Sequence, residues 1–151
     1  MNDNRKAFLS AISVSEGTAN IGDQQGYNVL VGETIFYGYM DHPRKLVNLP
    51  KLGIKSTAAG RYQILARYYD AYKKQLGLKD FTPDSQDRIA LQMIKECKAL
   101  PLIDAGKFEE AITACKSRWA SFKGAGYGQH EHTMDFLKTA YLEAGGKLEY
   151  A

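Results

Sequence analysis

The β-forming residues of this chain are confined to one early segment, and that confinement limits the fold more than any other property of the sequence. Tyr27-Asn28-Val29-Leu30-Val31 and Thr34-Ile35-Phe36-Tyr37 are rich in branched and aromatic residues, with Gly32-Glu33 between them. The pair reads as a hairpin whose two-residue turn places glycine first. A sheet that occupies one early stretch and does not alternate with helices argues against a doubly wound parallel sheet. The expected class is therefore α+β: a mostly helical lobe plus a small antiparallel β lobe, with a cleft between them.

The rest of the chain is mostly helical in pattern. Ala7, Phe8, Ala11 and Ile12 recur at helix spacing within Arg5 to Val14, and Gly17 is a natural stop. The stretch from Tyr39 to Lys55 carries Pro43, Pro50 and Gly53 and reads as an irregular loop or a short further strand. From Ala58 to Leu76 the pattern predicts one helix. Ile64, Leu65, Tyr68, Tyr69, Tyr72 and Leu76 form its stripe, Ser56 or Thr57 its cap and Gly77 its end. Thr82 and Pro83 open another helix as N-cap and first position, running to about Lys98. A short turn near Pro101 to Ala105, a helix over Phe108 to Trp119 and a last helix over His130 to Ala144 complete the set. Gly124-Ala125-Gly126-Tyr127-Gly128 is a tight glycine loop before that last helix. There are no repeats or linker-like tracts, and 151 residues suit a single domain, 1–151, with one sizeable core.

Charge and cysteine usage narrow the function classes. A formal net charge of +3 is a mild bias towards anionic partners, and no basic run of five exists, which argues against a dedicated nucleic-acid arm. No apolar stretch is long enough to span a membrane, and the N-terminal residues lack the apolar core of a secretory signal. The expectation is a product made in the cytoplasm that needs a separate exit route for any work outside. Cys97 and Cys115 have no His/Cys cluster around them, so two free thiols are expected and a zinc site is not. His130-Glu131-His132 is not the H-E-x-x-H of a zinc helix, because alternate residues do not share a helix face. No phosphate-binding loop and no serine or cysteine nucleophile motif is present.

The remaining candidate for chemistry is Glu16. It lies in Ser15-Glu16-Gly17, where the first helix hands over to the β segment. The negative end of a helix dipole disfavours a carboxylate there, and burial would raise its pKa further. That is the setting of a general acid that keeps its proton near neutral pH. A tyrosine on a glycine loop, Tyr127, can stack on a sugar face and donate a hydrogen bond. Arg61, Tyr62 and Gln63 offer planar polar groups suited to hydroxyl and acetamido recognition.

These segments, read in order, resemble one family. Ser15-Glu16-Gly17-Thr18, Gly26-Tyr27, Val31-Gly32, Asp41-His42-Pro43-Arg44-Lys45-Leu46-Val47, Lys55-Ser56-Thr57, Ala59-Gly60-Arg61-Tyr62-Gln63, Gln75-Leu76-Gly77-Leu78-Lys79-Asp80-Phe81 and Gly124-Ala125-Gly126-Tyr127-Gly128-Gln129 are collinear with the motifs of the lambda-type phage endolysins. The likeness covers about Arg5 to Gly146. It departs at Ala19, where an acidic residue is expected, at Asn28 for Asp and at Ala58 for Gly, and the loop from Asn20 to Gln25 is shorter. The resemblance implies a lysozyme-like fold and lytic transglycosylase cleavage between N-acetylmuramic acid and N-acetylglucosamine in peptidoglycan. It implies Glu16 as the catalytic acid and Ser56, Thr57, Tyr62, Gln63, Tyr127 and Gln129 as substrate-binding residues. It also implies glycan strands as partner, a monomer, no nucleic acid, no stable membrane insertion and no metal or organic cofactor. The enzyme would wait in the host cytoplasm for a holin-type exit route before acting on the wall in the periplasm. Two rivals remain: a hydrolytic muramidase with Asp23 as second carboxylate, and a non-catalytic wall-binding protein.

Overall fold

The computed structural model describes residues 1–122 and 131–149. They fall into two compact units, residues 1–16 with 90–151, and residues 17–89. The class is α+β, as the sequence pattern predicts.

The first unit is helical. Helix α1 spans Asp3–Glu16 and buries Ala7, Phe8, Leu9, Ala11 and Ile12. Helix α3 spans Pro83–Glu96 and contributes its part from residue 90 onward. Helices α4 (Leu100–Asp104), α5 (Phe108–Cys115) and α6 (Met134–Glu143) complete the unit, and α1 lies against both α6 and α4. Aromatic rings fill the middle. Phe8 meets Phe108 and Phe122 edge-on at 5.8 and 6.3 Å, and Phe108 meets Tyr141 at 4.6 Å. Each buried ring contributes about 2–3 kcal/mol relative to exposure. The two ends of the unit's chain are tied together. Arg5 forms a two-pronged pair with Asp104 at 2.9 and 2.7 Å, and Asn4 accepts from the Lys147 N–H at 3.0 Å. Tyr141 donates to the Lys147 carbonyl at 2.7 Å. Gly146 lies against the Tyr141 ring, where a Cβ would collide, so that turn requires glycine. Cys97 and Cys115 are free thiols.

The second unit holds both hairpins. Strands β1 (Val29–Leu30) and β2 (Thr34–Ile35) pair antiparallel, with Val29 opposite Ile35 and Leu30 opposite Thr34. The connection is Val31-Gly32-Glu33, three residues rather than the expected two. The Glu33 N–H donates to the Leu30 carbonyl at 3.1 Å, which puts Gly32 third in the turn. That position has φ +86° and Glu33 follows at +74°, so the glycine serves a type II-like turn and not a glycine-first one. Strands β3 (Val47–Leu49) and β4 (Ile54–Ser56) form a second antiparallel hairpin closed by Pro50 to Gly53, where the sequence predicts only a loop or one short strand.

Helix α2 spans Ala66–Leu76, eight residues later than its predicted start. Residues 58–65 instead fold back on the first hairpin. Ala59 bridges both Leu30 and Ile64, and Gly60 and Gln63 take φ +84° and +55°. Non-local bridges override the helical spacing here. Thr57 still serves the helix start, because its Oγ1 accepts from the Ala66 N–H at 2.9 Å. Gly77 ends α2 in the left-handed conformation, as predicted. Phe81 is the hub of this unit's core, with His42 at 4.9 Å and Tyr69 at 5.1 Å. His42 is buried. Its Nε2 donates to the Ile64 carbonyl at 2.8 Å and its Nδ1 accepts from the Arg44 N–H at 2.9 Å, the pattern of a neutral imidazole.

Candidate active site

Glu16 is the last residue of α1, and Gly17 at φ +77° takes the chain out of the helix. An added Cβ at Gly17 would meet nothing, so the glycine is there for its backbone angle. The apolar stripe of α1 decides where Glu16 points. Phe8, Ala11, Ile12 and Ser15 are buried, which draws the last turn inward and leaves Glu16 half-buried at its end. Burial pushes its carboxyl up to about 8. Among the described residues no hydrogen bond or ion pair to that carboxyl opposes the shift. A carboxylic acid in this state holds its proton at neutral pH.

The turn that carries Glu16 is held by two contacts, and a third joins the two residues that make them. Ser15 Oγ and Ser121 Oγ lie 2.6 Å apart and buried. His132 Nε2 lies 3.0 Å from the Ser15 carbonyl oxygen. The His132 backbone N–H donates to the Ser121 carbonyl at 3.0 Å. Sequence spacing offers no signal for these contacts, since Ser15 and His132 are 117 positions apart.

The second unit gathers a polar cluster around residues 60–63. Gln86, fully buried in the first turns of α3, accepts from the Arg61 N–H at 3.0 Å. Its amide nitrogen donates to the carbonyls of Tyr27 and Phe81 at 3.0 and 2.9 Å. Gly60 packs directly on this carboxamide, where a Cβ would not fit. The Arg61 carbonyl accepts from Thr18 Oγ1 at 2.7 Å. Tyr62 is only 1 % exposed. Its hydroxyl donates to Asp87 at 2.5 Å, and Tyr27 donates to the same carboxylate oxygen at 2.9 Å. The Arg61 guanidinium lies over both rings at 5.2 and 5.6 Å and donates to both hydroxyls. Gln63 takes its positive φ while donating to the Val29 and Gly60 carbonyls at 3.1 and 2.9 Å. Ser56 Oγ accepts from the Ala58 N–H at 3.1 Å and Thr57 from Ala66. Ser56, Thr57, Tyr62 and Gln63 thus fall within one unit, while Tyr127 and Gln129 lie outside the described residues. Asp23 is exposed on the loop before the first hairpin. Thr18 and Tyr27 stand in the sequence motifs without an assigned role, and Gln86 and Asp87 carry no sequence signal of their own. A polar Gln86-Asp87 pair on a helix reads as a solvated face unless the opposing loop is known.

The family model described as Endolysin matches residues 6–148. The endolysin of Escherichia phage lambda is 58% identical over 153 residues, covering 98% of this chain and 95% of that protein. The endolysin of Escherichia phage P2 is 47% identical, covering 95% and 93%. A solved structure of bacteriophage lambda lysozyme complexed with a chitohexasaccharide superposes with a TM-score of 0.95 at 54% identity, over 99% of this chain and 98% of that one. A second lysozyme structure from bacteriophage lambda gives 0.90 over the same shares. The fold is therefore lysozyme-like, and this chain belongs to the endolysin family, enzymes that cleave peptidoglycan.

Proposed function

We propose that the chain is a lytic transglycosylase acting, as one catalytic domain, on the β-1,4 bond from N-acetylmuramic acid to N-acetylglucosamine. Protonated Glu16 gives its proton to the glycosidic oxygen as the bond to C1 breaks. The resulting carboxylate takes the proton of the muramic acid C6 hydroxyl as that oxygen closes on C1. The products are a free 4-hydroxyl on the glucosamine side and a 1,6-anhydro end on the muramic side. Glu16 ends the cycle protonated, so one carboxyl serves twice where hydrolytic glycosidases use two. The observation that carries this reading is the half-buried carboxyl with its pKa raised to about 8 in the Ser15-Glu16-Gly17 motif.

Ser56, Thr57, Gln63, Tyr127 and Gln129 would hold the sugar hydroxyls and acetamido groups. Tyr62 would act from behind, by fixing Arg61 and Asp87. The lambda enzyme's complex with a chitohexasaccharide supports a glycan strand as ligand. Among the described residues no helix is long and apolar enough to cross a membrane. We place the enzyme in the host cytoplasm, as a monomer, until a pore made by another protein admits it to the wall.

Mass spectrometry of digested peptidoglycan tests the reaction type. Muropeptides one water lighter than their reducing-end counterparts are expected from wild type, and none from Glu16→Gln. Reducing ends from wild type, lost on Asp23→Ala, would establish a hydrolytic muramidase instead. Binding without any clearing of a wall suspension would mark a non-catalytic protein.

A further inference from the structure

The closed ring of contacts among Ser15, Ser121 and His132 sits one residue from Glu16 and has no role in the steps above. The carbonyls of a helix's last turn lack intrahelical partners. The helix ends at Glu16, so the Ser15 carbonyl is one of these orphans, and His132 Nε2 occupies it at 3.0 Å. A carbonyl only accepts, so the ring nitrogen facing it carries the proton. The imidazole is held on its other side as well. It stacks on Phe136 of α6 with centroids 4.4 Å apart and planes 17° from parallel. The Phe136 N–H in turn donates to Thr133, the N-cap of α6. The Ser15 side chain is fixed at the same time by Ser121 at 2.6 Å, and Ser121 is joined to His132 through the backbone at 3.0 Å.

Both the carbonyl and the side chain of the residue before Glu16 are therefore clamped by one pair of residues. The peptide plane between Ser15 and Glu16 sets the direction of the Glu16 Cα–Cβ bond. Free rotation of that plane would swing a long carboxyl side chain well away from a scissile oxygen, and a misplacement of about 1 Å costs on the order of 100-fold in rate.

We propose that Ser15, Ser121 and His132 are positioning residues for Glu16: they lock the last turn of α1 so that one carboxyl stays in place through proton donation and proton return. This rests on Glu16 being the catalytic acid. The ring touches no substrate atom in this role. Its loss lowers turnover and leaves glycan affinity alone.

The test compares His132→Leu, His132→Gln, Ser121→Ala and Glu16→Gln with wild type on a soluble peptidoglycan oligomer, reading kcat, KM and the thermal midpoint together. His132→Leu keeps an apolar contact for Phe136 but offers no N–H. It is expected to lose about 10–100-fold in kcat, with KM within about twofold. His132→Gln restores a donor at similar reach and should recover most of the loss. Ser121→Ala removes the smaller clamp and should lose about 3–10-fold in kcat, again with KM unchanged; it keeps the test open if the histidine variant misfolds. A kcat within twofold of wild type in both Ser121→Ala and a folded His132→Leu overturns the proposal. So does equal loss in the leucine and glutamine variants, or a loss that only tracks the unfolded fraction. Glu16→Gln separates the two readings. Full activity there sinks the acid role itself, whereas an inactive Glu16→Gln beside unaffected clamp variants sinks only the clamp.

Discussion

At the residue scale the question is what holds a proton on Glu16. Burial raises its pKa, and no arginine, lysine or hydrogen-bond donor among the described residues pulls it back. A general acid must be protonated in the free enzyme, so the activity depends on the fraction still in the acid form. That fraction is near one at pH 6 and one half at about 8. Above that, kcat/KM should fall about tenfold per pH unit. A kcat/KM profile on soluble glycan across pH 5 to 10 checks this. A limb that already falls between pH 4 and 5 would mean an ordinary exposed glutamate. Glu16 was legible in the sequence because a short motif and a helix stop coincide on it. The size of the burial was not legible, because it depends on packing.

Between elements, the decisive contact is the carboxamide of Gln86 reaching from α3 to residues 60–63. It satisfies one N–H and two carbonyls while fully buried. Gln86→Leu keeps the volume and leaves all three backbone groups without partners, which should cost about 2–4 kcal/mol. Urea unfolding checks the loss, and a midpoint equal to wild type would show that water replaces the carboxamide. Activity should fall with it, since Gln63 loses the loop that holds its positive φ. This region also shows where local pattern reading fails. The apolar residues before Ala66 continue the spacing of α2, so the sequence predicts one long helix. The bridges from Ala59 to Leu30 and Ile64 hold residues 58–65 in a return loop instead. The second hairpin is hidden for the same kind of reason. Val47–Leu49 and Ile54–Ser56 are three residues each, too short to show an alternation, and their register exists only once they pair. Capped helices needed no such partner: α1, α3 and the end of α2 follow their apolar stripes, Thr82-Pro83 and the two glycines.

For the whole molecule, Glu16 and His42 tie stability to pH with opposite signs. The folded pKa of Glu16 lies above its ordinary 4.5, at about 8. Between those values the native state binds the extra proton, so stability falls as pH rises, by about 1.4 kcal/mol per unit. The folded pKa of His42 lies below its ordinary 6.5, chiefly because burial disfavours the cation. Below 6.5 it is the unfolded chain that binds the extra proton, so stability falls as pH drops, with the same slope until His42 charges in place. Over that stretch the two slopes cancel. The expected profile is a plateau from pH 6.5 down to the point where His42 charges in the folded state, and a decline from 6.5 to about 8. At the acid end, Asp41, Asp70 and Asp104 beside their arginines, and Asp80 beside Ser85 and Thr82, have pKa values below the usual 3.8; their stabilisation is lost as pH falls through that range. Denaturant midpoints measured every half unit from pH 4.5 to 8.5 resolve the contributions. Glu16→Gln should abolish the decline above 6.5 and exceed wild type by about 3 kcal/mol at pH 7. His42→Asn should be less stable throughout because it loses a buried ring, yet its stability should keep rising on acidification from 8 to about 5. Slopes, unlike absolute stabilities, separate the titration of His42 from its packing. A wild-type profile that is level from 6.5 to 8 would refute the protonated Glu16 on which the proposed chemistry depends, without any substrate in the tube.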